Sequence, residues 1–311
     1  MPSTSKARHV VGAAYLGWTL DAFDFFIMVF VLRNIAETFA TSITAVTWAI
    51  TLTLAMRALG AWLFGRLADR FGRRPTLMAD VLIYSVLEFA TGFSPNLTVF
   101  IILRALYGIA MGGEWDVGAS LTMESIPAHW RGPVSGMLQA GYPSGYLLAS
   151  IVYWIFFPLV GWQGLFMIGA FPALLVLYIR RSVPESPDWE SRATAGPQPS
   201  IWDVLRRNVG LTVYAVVMMT AFNFFSHGTQ DLYPTFLQVQ HKLDRTTVSA
   251  IIIVLNIGAI LGGIGFGILS QRIGRRTAIV IAAVLALPVI PLWAFSATPV
   301  LLGLGAFLMQ I

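Results

Sequence analysis

The sequence predicts an all-α membrane protein, and three observations lead to that fold class. Of the 311 residues, 57% are hydrophobic and only 11% are charged, and the mean hydropathy is +0.73. Typical soluble chains carry about 25% charged residues, so a soluble globular fold is excluded. Many apolar runs reach the length of about 20 residues that a spanning helix needs, and Lys and Arg cluster where these runs end.

The apolar runs predict the helices in chain order. We expect spanning helices at residues 10–32, 43–64, 75–93, 97–123, 133–156, 163–181, 210–236, 246–268 and 277–295, and a further helix beginning near 298. The last run stops at Ile311, which is too early to cross a bilayer. We therefore expect the chain to be a C-terminally truncated piece of something longer.

Residues 182–209 form the longest stretch outside the predicted helices. Their prolines and a glycine favour a loop: Pro184, Pro187, Gly196, Pro197 and Pro199. This stretch is expected to be a cytoplasmic linker at 182–209 between a six-helix bundle at 1–181 and a partial second bundle at 210–311. No small-residue cleavage site follows the N-terminus, so no signal peptide is predicted.

The basic residues predict the orientation. Of the 20 Lys and Arg residues, three (Arg33, Lys242 and Arg245) fall on one side of the membrane, and two (Arg57 and Arg104) fall inside it. The others share a side with the N-terminus, which the positive-inside rule makes the cytoplasmic side of the cell membrane. The net charge of +5 is thereby explained as a topology signal, and no nucleic-acid partner is expected.

An internal repeat supports the division into two bundles. Residues 65–74 read GRLADRFGRR, and residues 267–276 read GILSQRIGRR. Both segments predict a tight cytoplasmic loop between closely packed helices, in which Gly permits the approach. Asp69 is expected to bind arginines or the free amides at a helix end, whereas Gln271 occupies the corresponding place in the second copy.

This repeat resembles the signature loop of the major facilitator superfamily. The resemblance implies twelve helices in two six-helix bundles around a central cavity that opens to alternate sides. It also implies conformational roles for Gly65, Asp69, Arg70, Gly72 and Arg73. Gly141 and Gly145 lie in a segment that resembles the gating helix of the same superfamily.

A narrower resemblance covers residues 223–235, NFFSHGTQDLYPT. This segment is similar to the seventh-helix signature of the fungal lactate permease family, which belongs with the sialate:proton symporters. Residues 180–189 and 112–115 also resemble segments of sugar and organic-acid transporters. The resemblance implies proton-coupled symport of a small monocarboxylate of the lactate or pyruvate type, by alternating access.

Polar residues inside the predicted helices suggest the substrate site. Asn223, His227 and Gln230 would share one helix face, with Asp231 beside them, and such a stripe is suited to a small polar or anionic substrate. Arg57 lies about 12 Å from the nearest loop at 1.5 Å per residue, and its planar fork suits a carboxylate. This depth is too great for easy snorkelling to the membrane edge. A structural ion pair with an acid such as Asp21 or Asp24 stays open as the alternative.

Buried acids suggest proton coupling. Asp21 and Asp24 are three residues apart, so they share a face, and two carboxylates in a low-dielectric cavity do not both ionise easily. Asp24 or Asp231 is favoured as the proton carrier. Arg104 and Glu114 are further candidates, for which a structural role stays open, as it does for Glu88.

Two further patterns are expected to shape the interior. The glycine pairs Gly108/Gly112, Gly141/Gly145, Gly258/Gly262 and Gly263/Gly267 would let helices pack closely. The aromatic residues expected to line the cavity are Trp18, Phe23, Phe25, Phe26, Tyr142 and Phe224.

The sequence lacks the residues that other classes of protein need. The chain has no cysteine, and its four histidines lack metal-ligand spacing, so no metal and no cofactor is expected apart from the proton as coupling ion. No Walker motif is present, and no enzyme chemistry is indicated. The expected partners are a small anionic carboxylate and the lipid bilayer, with the protein a monomer. Alternatives are a sialic acid or other organic acid symporter, a transporter-like sensor, and an inactive truncated product.

Overall fold

The computed structural model describes residues 4–127, 130–192 and 205–311. Within these ranges the regular structure is helical, with no strand. The helices are α1 (Thr4–Thr38), α2 (Ile43–Phe71), α3 (Arg73–Thr91), α4 (Leu97–Ser125), α5 (Arg131–Gln139), α6 (Gly141–Ile168), α7 (Ala173–Ser182), α8 (Pro187–Arg192), α9 (Val209–Gln230), α10 (Tyr233–Val239), α11 (Arg245–Ile273), α12 (Arg275–Ala286), α13 (Ile290–Phe295) and α14 (Pro299–Gln310), with a 3-10 turn at Leu287–Val289.

Prolines explain two breaks that the apolar runs did not predict. A proline ring clashes with the carbonyl group four residues earlier in a helix. Pro234 therefore ends α9 at Gln230, and Pro143 ends α5 at Gln139. The continuous helices expected at 210–236 and 133–156 are thus each divided. A third break, at Gly161 with φ 64° and ψ −171°, separates the runs expected at 133–156 and 163–181.

The two repeated segments form turns of a single residue. α2 continues to Phe71 and α3 begins at Arg73, so only Gly72 lies between them, with φ 107°. Gly274 separates α11 from α12 in the same way, with φ 89°. The expected loops at 65–74 and 267–276 are therefore mostly helical. A side chain at either glycine would be strained, because a positive φ favours glycine.

Seven stretches of the described residues are long and apolar enough to cross a membrane. They are Ala7–Thr38, Ile43–Phe71, Leu97–Ser125, Arg131–Ser182, Val209–Val239, Arg245–Ile273 and Arg275–Phe295. Arg131–Ser182 contains two of the predicted helices. α3 falls outside this set because it carries two arginines and two acids in 19 residues.

Packing centres on α1, which contacts α2, α4, α6 and α7. α2 packs along α4, and α3 packs on the other side of α4. The C-terminal helices join this group through α11, which contacts α5, α6 and α14. Residues 209–225 of α9 are largely exposed. The expected linker at 182–209 contains a helix, α8. Residues 193–204 of the linker lie outside the described ranges.

The start of α11 carries a pH-dependent cap. Asp244 accepts hydrogen bonds from the backbone amides of Thr246 (3.0 Å) and Thr247 (3.2 Å) and from the Thr247 hydroxyl (2.6 Å). The bonds from Thr247 hold the pKa of Asp244 below its ordinary value of 3.8. A lowered pKa means that the stabilisation is present above the ordinary pKa and is lost as the pH falls through the lowered one.

Asp244→Ala is expected to lower the unfolding temperature at neutral pH, because the helix loses its cap. The difference in unfolding temperature between Asp244→Ala and wild type should shrink below pH 3.8, because the wild-type carboxylate is protonated there. Thermal unfolding in detergent, monitored by circular dichroism, measures the fall in unfolding temperature and its dependence on pH. Asp244→Asn is the matched control, since Asn caps without a charge and should show no such pH dependence. Equal stability of Asp244→Ala and wild type at neutral pH would contradict the assignment.

Candidate functional site

Arg57 lies half-buried on α2, beside aromatic side chains from three other helices. Its guanidinium carbon is 5.0 Å from the centre of the Trp18 ring. The Trp18 ring is in turn 4.5 Å from Trp115 and 5.5 Å from Tyr142, centre to centre. A cation over an indole face is attracted by the ring quadrupole. Among the described residues Arg57 forms no ion pair, so the expected alternative of a pair with Asp21 or Asp24 is not found there.

Tyr146 extends this aromatic group towards α9. Its ring stacks on Phe26 at 3.6 Å, nearly parallel, and its hydroxyl donates to the backbone oxygen of Gln230 at 3.3 Å. The Gln230 side-chain amide donates to the Gln310 side chain at 2.6 Å. We call Trp18, Phe26, Trp115, Tyr142 and Tyr146 the central aromatic cluster. Sequence reasoning missed Trp115 and Tyr146 as members of it, although Trp115 is the last residue of the organic-acid-type segment at 112–115.

The other predicted aromatic residues lie elsewhere. Phe23 and Phe25 are buried in the core. Phe224 is 78% exposed, so it does not line this site, because it lies on the largely exposed part of α9.

The predicted polar stripe is interrupted. Asn223 is exposed, and its amide donates to the Met219 carbonyl oxygen of its own helix at 2.8 Å. Gln230 ends α9, and Asp231 is buried in the turn that follows, so Asp231 is not on the helix that was expected to carry it. The side chain of His227 lies outside the described residues. Only Gln230 and Asp231 of this stripe reach the interior among the described side chains.

Five carboxylic acids are buried among α1, α3 and α4, and Glu88 is the one that forms an ion pair among the described residues. Asp21, Asp24, Asp80 and Glu114 are each at most 1% exposed, and no oxygen of their carboxyl groups has a hydrogen-bond partner among the described residues. The Glu114 carboxyl group lies against Gly17 of α1, where a Cβ would overlap it. Sequence reasoning missed Asp80. The signal that could have found it is the spacing of Asp80, Tyr84 and Glu88, which places them on one face of α3.

Arg104 and Glu88 form a fully buried ion pair. Arg104 Nη1 and Glu88 Oε2 are 2.5 Å apart, and both side chains are 0% exposed. The Arg104 guanidinium also lies over the Tyr107 ring at 4.0 Å. Asp24 approaches Glu88 at Gly169, where a Cβ would lie 2.8 Å from Asp24 Oδ1 and 2.7 Å from Glu88 Cγ. The pair thus joins α3 to α4 next to the acids of α1.

A second polar cluster lies at the Gly72 turn. Arg73 forms ion pairs with Asp69 at 2.8 Å and with Glu124 at 3.3 Å. Glu185 accepts hydrogen bonds from the backbone amides of Arg73 (2.9 Å) and Arg74 (3.2 Å), so it satisfies free amides at the start of α3. This arrangement ties the α2–α3 turn to α4 and to the segment after α7.

Gly65 and Arg70 are not part of that cluster. A Cβ on Gly65 would meet no atom of the described residues within 4 Å, so the close approach expected at Gly65 is not found among them. Arg70 is exposed and lies 5.2 Å from the Phe71 ring. Gly72 is the glycine that the turn requires.

Close helix contacts occur at three of the four predicted glycine pairs. A Cβ on Gly108 would lie 2.8 Å from Thr53 Cα, and one on Gly112 would lie 2.7 Å from the Ala61 amide nitrogen. Gly141 and Gly145 face α1 in the same way, and Gly258 and Gly262 face α14. Gly263 and Gly267 have no atom within 4 Å of an added Cβ, so their spacing does not mark a contact among the described residues.

In the part of the chain that the structure describes, no group of three or more His, Cys, Asp or Glu residues could hold a metal ion.

The comparisons with known proteins agree with this architecture. The sequence profile of the Major Facilitator Superfamily matches residues 14–311. The sialic acid transporter NanX of Escherichia coli is 28% identical over 279 residues, which are 89% of this chain and 68% of NanX. The carboxylic acid transporter protein homolog of Saccharomyces cerevisiae is 28% identical over 86% of this chain and 48% of its own length. The xylose transporter XylE of E. coli, in a partially occluded inward-open conformation, has a TM-score of 0.74 and 19% identity, over 99% of this chain and 81% of XylE.

The chain therefore belongs to the Major Facilitator Superfamily. It has the all-helical fold of that superfamily, and it is an integral, multi-pass membrane protein. The first two of these relatives are named as a sialic acid transporter and a carboxylic acid transporter homolog.

Proposed function

We propose that this protein is a secondary active transporter that carries a small monocarboxylate, of the lactate or pyruvate type, together with a proton. The observation that carries the proposal is Arg57, a half-buried guanidinium without an ion pair among the described residues, beside the central aromatic cluster. Arg binds a carboxylate with two parallel charge-assisted hydrogen bonds. The aromatic rings supply an apolar surface for the organic part of the substrate.

Three residues near α9 complete the proposed substrate site. Gln230 lies next to the aromatic cluster, and its hydrogen bond to Gln310 can be exchanged for one to the substrate. Asn223 and His227 are assigned to the same site from the resemblance of residues 223–235 to a lactate permease signature, as proposals.

The proton is proposed to travel on the buried acids. An ionised carboxylate is costly to bury without a partner, and binding a proton removes that cost. Asp21 and Asp24 are the proposed carriers, with Glu114 and Asp231 as further acceptors. Arg104 is assigned to the same machinery, because its ion pair with Glu88 lies next to Asp24.

Alternating access is proposed to use two bundles, at 1–181 and 210–311, joined by the segment 182–209. The cluster of Asp69, Gly72, Arg73 and Glu185 would stabilise one state, and Gly141 and Gly145 would let α6 move against α1. The N-terminus is placed in the cytoplasm by the positive-inside rule, and the working unit is a monomer.

A second substrate, sialic acid, is favoured by one observation. The relative NanX, which is named a sialic acid transporter, matches 89% of this chain. Sialic acid also carries a carboxylate, so Arg57 would bind it in the same way.

Uptake into proteoliposomes tests the proposal. The reconstituted chain is expected to accumulate radiolabelled L-lactate when the proton gradient points inward, and to lose that uptake without the gradient. Arg57→Gln should lower uptake by about ten-fold or more, because a charged hydrogen bond is lost. Arg276→Gln, at an exposed arginine, is the control. Uptake of sialic acid but not of lactate would overturn the monocarboxylate assignment.

The proposed proton carriers have their own test. Asp24→Asn is expected to abolish uptake driven by the proton gradient but to retain exchange of labelled for unlabelled substrate, because exchange needs no net proton release. Glu190→Gln, whose exposed carboxylate lies outside the buried group and away from the membrane-spanning helices, is the control. Gradient-driven uptake that survives in both Asp24→Asn and Asp21→Asn would remove these acids from the mechanism.

A further inference from the structure

A cavity lies away from Arg57, at the opposite end of the helices from the Gly72 and Gly274 turns. It has a volume of about 490 Å³ and lies between α1 and α6 on one side and the α10–α11 connection on the other. We call it the outer cavity. Its lining includes Arg33, Tyr153, Phe157, Lys242, Asp244 and Arg245. Its volume is in the range of small-molecule sites, about 300–1,000 Å³.

The outer cavity collects the basic residues of its side of the membrane. Arg33, Lys242 and Arg245 were the three basic residues that the sequence places on the side opposite to the N-terminus. All three line this one cavity, although they come from α1, from the α10–α11 connection and from the start of α11.

The acids of the cavity are already engaged. Glu37 binds Arg33 at 2.9 Å. Asp244 accepts the three hydrogen bonds that cap α11. Among the described residues neither Lys242 nor Arg245 forms an ion pair. The cavity therefore keeps two positive charges without a partner.

Arg245 has an unsatisfied donor. Its guanidinium carbon is 5.8 Å from the ring centres of Tyr153 and Phe157. One guanidinium nitrogen, Nη1, is buried and has no hydrogen-bond partner among the described residues. A buried cationic donor that is left unpaired is costly. Arg245 lines the cavity, so a turn of its side chain towards a carboxylate there would satisfy this donor.

We propose that the outer cavity binds the carboxylate of a small organic anion before that anion reaches Arg57. The carboxylate would accept from the Arg245 guanidinium and interact with Lys242, and the Tyr153 and Phe157 rings would contact the organic part. Inorganic anions would use the cations alone, so an organic carboxylate is the favoured ligand. The identity of the anion rests on the proposed function, whereas the existence of the site rests on the cavity and its unpaired cations.

Saturation-transfer NMR on the detergent-purified chain, with L-lactate as the probe, tests the site. The Arg57→Gln chain is expected to retain L-lactate binding, since the outer cavity remains. Adding Lys242→Gln and Arg245→Gln should weaken that remaining binding by about ten-fold or more. In the Arg57→Gln background, Lys242→Gln without Arg245→Gln should weaken the remaining L-lactate binding in part. This variant keeps the test valid if Arg245→Gln impairs folding, because Lys242 is exposed.

Two results would overturn the proposal. One is loss of all L-lactate binding in Arg57→Gln, which would leave the central site as the only one. The other is L-lactate binding that persists in the triple variant. Phosphatidylglycerol tests a lipid headgroup as the competing source of anion. Phosphatidylglycerol that binds the Arg57→Gln chain, and that excess L-lactate does not displace, would assign the cavity to a lipid headgroup instead. Failure of gradient-driven uptake by the wild-type chain, with L-lactate binding intact in Arg57→Gln, would count against the proposed function and leave the outer site in place.

Discussion

Arg104→Met is expected to destabilise the protein by about 3–5 kcal/mol, because it leaves the buried Glu88 carboxylate without its counter-ion. The two side chains are 2.5 Å apart and 0% exposed, so water cannot replace the guanidinium without a change in packing. The stacking of Arg104 on Tyr107 is lost at the same time. Thermal unfolding of the detergent-solubilised chain, followed by circular dichroism, measures the effect.

The matched control removes both charges. Arg104→Met combined with Glu88→Gln leaves no isolated buried ion, so it is expected to be more stable than Arg104→Met alone. The two single variants and the double variant together give the coupling energy of the pair. An Arg104→Met protein that unfolds at the wild-type temperature would show that the pair does not stabilise the fold.

Gly112→Ala is expected to destabilise the protein by about 1–3 kcal/mol, through overpacking between α2 and α4. A Cβ on Gly112 would overlap the Arg57 carbonyl oxygen and lie 2.7 Å from the Ala61 amide nitrogen. The neighbouring atoms belong to backbone, so α2 must move as a unit. Because α2 carries Arg57, uptake of L-lactate should fall together with the unfolding temperature.

Gly263→Ala is the control for this substitution. Gly263 lies within α11, and a Cβ there would meet nothing within 4 Å. Ala is favoured over Gly in a helix interior by about 0.8–1.0 kcal/mol, so Gly263→Ala should unfold at the wild-type temperature or above it. Equal effects of the two substitutions would show that the close approach at Gly112 does not contribute to stability.

The glycine pairs illustrate how far a sequence pattern reaches. Gly108/Gly112 and Gly263/Gly267 have the same spacing, and both predict close helix packing. Only the first pair meets another backbone among the described residues. The spacing shows that two glycines share a helix face, but whether another helix lies against that face depends on the arrangement of the whole chain.

The repeated segments at 65–74 and 267–276 show, for a turn, what a sequence pattern predicts and what it does not. Their similarity predicted equivalent turns, and Gly72 and Gly274 both have a positive φ. The helices on either side run up to these glycines, because a single residue in that conformation is enough to reverse the chain direction. The residues that hold the first turn, Glu124 and Glu185, come from distant parts of the sequence.

The sequence by itself determined the membrane class, the position of most helices, the glycine turns and the presence of Arg57, Arg104 and the acids of α1 inside the membrane. These features depend on local hydrophobicity and backbone geometry, which a single segment carries. Only the tertiary structure decided which buried groups meet. It pairs Arg104 with Glu88, places Arg57 beside Trp18, adds Asp80 to the buried acids and gathers Arg33, Lys242 and Arg245 around one cavity. Such contacts depend on the rotation and crossing of separate helices, and no pattern within one helix contains that information.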